Sequence, residues 1–304
     1  MNNGKVDWLG SFVAVITPFD VNGDIDERAF RDNIAFLLEA GVNGVVVSGC
    51  TGESWALTPD ERVRLFALAV DTVAGKVPVI AGTGGIVTSA VIELSRRAKE
   101  VGAAGIMVLP PYYAMPGRRE VIAHYAAISD AVRHPILLYN IPKRTGINLT
   151  PEYLEDIVAI DWVVAIKESS NDFIQVEATI QSVGDRISVF TGHSAERGVP
   201  AVVMGAKGFV SSMESQVMGR EAVAMYAQVK AGDIEGARST QLRTLVLDEA
   251  MRKIGTFPAN LKAAMNLLGR RAGVPRRPLL AVEGPDLERV RTVLDRLQLL
   301  TQAR

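Results

Sequence analysis

The chain has 304 residues, of which 48% are hydrophobic and 22% charged, and its 33 Lys and Arg against 34 Asp and Glu leave a formal net charge of −1. That composition supplies apolar material for a large core, excludes global disorder, and gives no sign of a polyanionic partner such as DNA or of an acidic membrane surface. Length alone suggests roughly two domains of ~150 residues, although an α/β barrel of about 250 residues is a single one. Cys50 is the only cysteine, so an internal disulfide is impossible and a reducing compartment fits. The histidines (His124, His134 and His193) have no ligand spacing, and no metal is expected. The opening MNNGKVDWLGSFVAV lacks the basic and apolar regions of a signal peptide. Glycines and prolines break the longest uncharged run, between Glu100 and Arg118, so the expectation is a soluble cytoplasmic protein.

Short runs rich in Val and Ile recur from the start of the chain: residues 11–19, 44–49, 77–82, 105–110, 135–140, 162–168, 187–192 and 208–213. Amphipathic stretches such as ERAFRDNIAFLLEAG and ERVRLFALAVDTVAG lie between them. Near-continuous apolar strands separated by helices predict a parallel sheet covered on its outer side. Thr58-Pro59-Asp60-Glu61 reads as a capping box with Pro at the first helical position, and Asp24 to Glu27 has a similar spacing. Eight strand–helix units close a (β/α)₈ TIM barrel. The alternative, an open doubly wound sheet, usually has a glycine-rich phosphate turn after its first strand, where this chain has TPFDVNGDID. Strand patterns stop after Met213, and residues 219–304 read as helices, with Leu287, Val290, Leu294, Leu297 and Leu300 on one face of the last. The predicted organisation is a catalytic barrel over 1–218 with a C-terminal helical extension over 219–304.

In a closed barrel, chemistry sits at the C-terminal ends of the strands. Lys167 ends a strand directly after five apolar residues, WVVAI. If it points into the barrel mouth, desolvation lowers its pKa from ~10.4, and the neutral amine can attack a ketone to form a Schiff base. The alternatives are a lysine that snorkels outward or pairs with Glu168. Tyr139 ends the preceding strand and could relay protons, or simply be a core tyrosine with one hydrogen-bond partner. The Gly49–Glu53 turn could aim backbone N–H groups and the Thr51 hydroxyl at an anion, with Glu53 bracing the loop. His193 is a candidate substrate contact, although a lone histidine is usually structural. Gly82-Thr83-Gly84-Gly85 looks like a phosphate cradle in the wrong place, since barrels usually bind phosphate after strands seven and eight.

Taken together, GCTGE (49–53), PPYYAMP (110–116), YNIPKRTG (139–146), AIKESS (165–170) and GAKGFVSS (205–212) resemble the dihydrodipicolinate synthase / N-acetylneuraminate lyase superfamily of Schiff-base-forming, pyruvate-dependent lyases. FPANLKAAMNLLG and RRPL extend the similarity over essentially the whole chain. The resemblance implies a (β/α)₈ barrel with a C-terminal helical bundle, a homotetramer built as a dimer of dimers, and no metal or organic cofactor. It implies that Lys167 forms the Schiff base with pyruvate or another 2-keto acid, that Tyr139 relays protons, and that Thr51 with Gly52 holds the keto acid's carboxylate. By the same match Tyr113 reaches into a neighbouring subunit's site, Arg144 binds the carboxylate of a second substrate, and Val210 presents a backbone carbonyl to the pocket. Cys50 stands where the synthase branch usually has a threonine linking two tyrosines, and a thiol is a weak donor and acceptor. His193 and Ser194 stand where that branch often has acidic residues.

The expected reaction is therefore condensation of pyruvate with a carboxylated aldehyde such as aspartate semialdehyde, as in 4-hydroxy-tetrahydrodipicolinate synthesis. Cys50 and His193 motivate an alternative, a 2-keto-3-deoxy sugar-acid aldolase or dehydratase. A reading from another class is a non-catalytic keto-acid sensor that kept the barrel and lost the chemistry.

Overall fold

A computed structural model of the chain describes residues 6–300. Eight strands form a closed, all-parallel barrel in chain order. They are β1 (Gly10–Ala14), β2 (Gly44–Val47), β3 (Val79–Gly82), β4 (Gly105–Val108), β5 (Ile136–Asn140), β6 (Val163–Glu168), β7 (Ser188–Thr191) and β8 (Gly208–Ser211). Closure is the pairing of β1 with β8, from Gly10 opposite Gly208 to Val13 opposite Ser211. Each predicted apolar run overlaps one strand, β1 starting one residue before its run, and the barrel, not the open sheet, is the observed architecture.

Alternation along each strand divides the apolar residues into two layers. Outward residues such as Val13, Val45, Val47, Ile106 and Ile166 pack against the surrounding helices. Inward residues such as Phe12, Val46, Ile80, Met107, Leu137 and Phe190 fill the barrel together with Trp8. The Phe12 and Phe190 rings meet with centroids 5.0 Å apart. In two of the four strands that begin with glycine, an aromatic ring occupies the neighbouring space: a Cβ at Gly44 would lie 2.5 Å from the Phe12 ring and one at Gly105 2.4 Å from Trp8. The N-terminal end of the barrel is thereby filled, and access is left to the opposite end.

Helix starts follow their capping chemistry. Thr58 and Glu61 make the reciprocal capping box of the helix Pro59–Val73. The helix Glu27–Ala40 is capped by Asp26, whose carboxylate accepts from Ala29 N–H at 3.0 Å. This corrects the Asp24 spacing: Asp26 is the residue immediately before the helix, and its side chain makes the capping hydrogen bond. The first apolar run is longer than its strand because the chain leaves the barrel after Ala14: Val15 and Phe19 join the layer between strands and surrounding helices, and Ile16 reaches the C-terminal helices. There Ile16 joins a core with Leu247, Met251, Leu261 and Leu294, and Gln216 takes over the hydrogen bonds, accepting from Ile16 N–H and donating to the Ala14 carbonyl, each at 3.1 Å.

After β8 come the short helices Met213–Met218, Arg220–Val223 and Met225–Lys230, then Ile234–Met251, Ala259–Leu267 and Gly284–Arg296. Met225–Lys230 packs on β1 and on the helix Ser194–Val203, which Ile234–Met251 also crosses. Gln241 anchors that crossing, accepting from Val199 N–H at 2.8 Å and donating to the Ser194 and Ala195 carbonyls. Among the described residues no helix is long and apolar enough to cross a membrane.

Candidate active site

The register sets Tyr139 directly opposite Lys167 and Lys167 opposite Phe190. Because side chains alternate, Lys167 and its neighbour Glu168 face opposite ways. Glu168 points away from the barrel interior and accepts from Asn140 Nδ2 (2.7 Å), Ser170 N–H (2.6 Å) and Gln175 Nε2 (3.2 Å). Lys167 is buried in the mouth, its Nζ 4.3 Å from the centroid of the Tyr139 ring. The pairing of Lys167 with Glu168 does not occur.

Burial lowers the Lys167 pKa to about 8, against smaller opposing effects of Cys50 and Glu214. At pH 7 about a tenth of such an amine is neutral, against roughly one part in 3000 for an unperturbed lysine. Burial also pushes the Tyr139 phenol well above its ordinary range. The Cys50 thiol beside it adds to that rise, while the Arg144 charge and the nearby Ser169 hydroxyl pull the other way. Tyr139 thus remains a neutral phenol, able to donate and accept a proton.

Lys167 opens into a cavity of about 470 Å³ at the C-terminal ends of the strands. Of the residues singled out from sequence, Cys50, Thr51, Tyr139, Arg144, Lys167 and His193 line it. Arg144 comes from the short helix Pro142–Thr145, and its guanidinium stands 5.6 Å over the Trp55 ring. His193 precedes the helix Ser194–Val203, and burial lowers its pKa to about 4, so it is neutral at physiological pH. Gly52 lies behind the lining: a Cβ there would meet Ser48 N and the Val15 carbonyl at 3.1 Å, and its own carbonyl accepts from Thr17 Oγ1 at 2.8 Å. Val210 is buried in the barrel interior below the mouth. Tyr113 is 91% exposed, with φ +65°, and lies outside its own subunit's cavity.

Several residues at the site carried no sequence signal of their own. Gly192 is the clearest, since a Cβ there would fall 1.8 Å from Ser169 Oγ and 3.1 Å from Lys167 Cε. The C-terminal helices also contribute to the wall, with Asp248, Arg252, Phe257 and Asn260. Burial raises the Asp248 pKa to about 6 against the pull of Arg252, whose Nε lies 2.7 Å from Oδ2. Glu214, buried behind the lining, has a raised pKa from desolvation although Ser194 Oγ donates to it. The FPANLK segment marked this region, but nothing in its pattern said which residues would face a cavity made at the ends of strands far earlier in the chain.

A profile of the dihydrodipicolinate synthetase family matches residues 7–297. The chain belongs to this family. It is 36% identical over 291 residues to the 4-hydroxy-tetrahydrodipicolinate synthases of Trichlorobacter lovleyi and Geobacter sulfurreducens, covering 96% of this chain and 99% of each relative. The crystal structure of dihydrodipicolinate synthase from Aquifex aeolicus superposes with a TM-score of 0.90 at 33% identity, covering 96% of this chain and 99% of that one. YagE, a prophage protein of the family from E. coli K12 solved in complex with pyruvate, superposes with a TM-score of 0.92 at 28% identity, covering 96% and 99%. The protein is a lyase of this family, with the TIM-barrel fold and C-terminal helical part of its solved relatives.

Proposed function

We propose that the enzyme joins pyruvate to an aldehyde carrying a carboxylate, as the curated relatives' name, 4-hydroxy-tetrahydrodipicolinate synthase, suggests. The observation that carries this reading is a buried amine with a pKa of about 8, packed on a tyrosine in a cavity that also holds Thr51 and Arg144. The Lys167 nitrogen adds to C2 of pyruvate, and the ketone oxygen takes up two protons and departs as water. The resulting iminium withdraws electrons, so C3 loses a proton and becomes an enamine carbon. That carbon bonds to the aldehyde carbon while the aldehyde oxygen accepts a proton. Attack by water, or by an amine of the acceptor itself, on the imine carbon then frees Lys167. Tyr139 relays the protons. Thr51, with Gly52 shaping its loop, holds the keto acid's carboxylate, and Arg144 the acceptor's.

Borohydride reduction with pyruvate tests the first half: a reduced pyruvyl mass is expected on the Lys167 peptide, and its absence refutes every catalytic version, leaving the sensor reading. Aspartate semialdehyde assayed against a panel of 2-keto-3-deoxy acids tests the second half. The polar wall of His193, Ser212, Asn171 and Asp248 favours the sugar-acid reading, because such groups pair with hydroxyls; turnover confined to those acids selects it. We further propose a cytoplasmic homotetramer in which Tyr113 serves a neighbouring subunit's cavity, supported by its exposure outside its own. Light scattering tests the assembly. The reaction as written needs no added cofactor.

A further inference from the structure

We propose that the buried Lys262–Glu53 ion pair is a positioning device for the loop that binds the keto acid's carboxylate, so that the C-terminal helices set the enzyme's affinity for pyruvate. This rests on the role given above to Thr51. The loop between β2 and the helix Pro59–Val73 turns sharply: Gly52 and Ser54 N–H donate to the Gly49 carbonyl, and Glu53 N–H donates to that of Cys50. Two residues with side chains, Ser48 (φ +55°) and Glu53 (φ +53°), bracket the turn in the left-handed region, a conformation L-residues adopt only when held there.

The hold comes from more than 200 residues later in the chain. Lys262, on the helix Ala259–Leu267, places Nζ 2.5 Å from Glu53 Oε1, and both side chains are essentially inaccessible, at 1% and 0%. Arg276 N–H donates to Glu53 Oε2 at 3.0 Å, so both carboxylate oxygens are fixed from the C-terminal part. Lys262 also donates to the Val274 carbonyl at 2.8 Å and lies 4.5 Å over the Phe19 ring. The Arg276 guanidinium covers the same ring at 4.2 Å, pairs with Glu61 and donates to the Ala56 carbonyl at 2.7 Å. Gly273 lets the two segments touch: Val274 N–H donates to the Phe19 carbonyl at 2.9 Å, and a Cβ at 273 would lie 2.2 Å from that oxygen. Thr51 lies two residues before this anchored carboxylate and has one face on the cavity. Slackening the anchor moves Thr51 away from a carboxylate without moving Lys167, which sits on β6.

The test compares borohydride trapping of pyruvate with trapping of acetone, which has the ketone and no carboxylate. Removing Lys262 alone would leave Glu53 charged and buried, so the variants are the double K262M/E53Q and the milder E53Q. The pyruvate concentration giving half-maximal trapping is expected to rise roughly 10- to 100-fold, the usual effect of a displacement near 1 Å. Trapping at saturating pyruvate should reach the wild-type level, and the acetone rate should stay at the wild-type value. An unchanged half-maximal concentration overturns the proposal, as does an equal loss for acetone and pyruvate. Loss of the native circular dichroism spectrum in both variants also overturns it, making the pair a folding element only. Failure of the wild-type enzyme to trap pyruvate is a separate result, which strikes the lysine assignment itself.

Discussion

Gly192→Ala isolates how the active amine is accommodated. Gly192 does not occupy the left-handed region, so alanine adds a methyl group to a backbone conformation it can adopt. That methyl would lie 1.8 Å from Ser169 Oγ, 3.0 Å from Ser169 Cβ and 3.1 Å from Lys167 Cε. The Ser169 hydroxyl can rotate away, at the expense of its contact with Tyr139; the other two contacts require a backbone shift or a new lysine rotamer. Overpacking of this kind costs about 1–3 kcal/mol, and at ~2–4 °C per kcal/mol for a large domain the melting temperature should fall by roughly 2–12 °C. Displacing the amine by some tenths of an ångström to 1 Å should slow pyruvate trapping by up to about 100-fold. In the Gly192→Ala/Ser169→Ala double variant the hydroxyl clash is gone and the lysine clash remains. Thermal stability should therefore recover in part while trapping stays slow. Trapping at the wild-type rate in Gly192→Ala, with an unchanged melting temperature, would refute the packing argument.

Further outcomes follow from the charges. With the Lys167 pKa at about 8, the initial rate of imine formation should rise about tenfold per pH unit up to that value and then level off, read by quenched-flow trapping; a flat rate between pH 6 and 8 contradicts the assignment. A lysine whose folded pKa is depressed from 10.5 destabilises the fold at and below pH 8, and the penalty fades as pH rises toward 10.5. Lys167→Met should accordingly melt higher than wild type at pH 7, by an amount reflecting about 3 kcal/mol, with the gap narrowing at high pH. Glu61, lowered to about 2 chiefly by its hydrogen bond with Arg276, contributes stability that is present above 4.5 and lost as pH falls through 2. Glu61→Gln should then show a weaker loss of stability on acidification across that window, measured by urea unfolding at several pH values. Arg144→Ala should depress kcat/KM for a carboxylated aldehyde and leave an uncharged aldehyde near its wild-type value; equal losses would remove Arg144 from that role.

The barrel could be read from the chain because its signal is local and repeated. Each of the eight Val- and Ile-rich runs overlaps one strand, and each stretch between them holds helix. Lys167 announced itself in the same way, as a charge closing an apolar run, and alternation then made its direction opposite to that of Glu168. Where the sequence pattern was overextended, at residues 15–19, the cause was long-range: Ile16 packs on the C-terminal helices while Val15 and Phe19 stay in the barrel's outer layer, and an apolar run does not say which core it enters.

What the sequence determined by itself was periodicity, and through it the (β/α)₈ order, the strand ends and a short set of groups able to act there. Depth of burial, and hence the fall of the Lys167 pKa to about 8, depended on tertiary structure, since desolvation is the sum of contributions from every element surrounding the amine. Gly192, Asp248 and the Lys262–Glu53 pair were likewise decided only by the folded chain. Gly192 meets Ser169 from 23 positions away and Lys262 meets Glu53 from more than 200, and no spacing rule along a chain encodes a meeting made by closing a barrel and laying helices across its mouth.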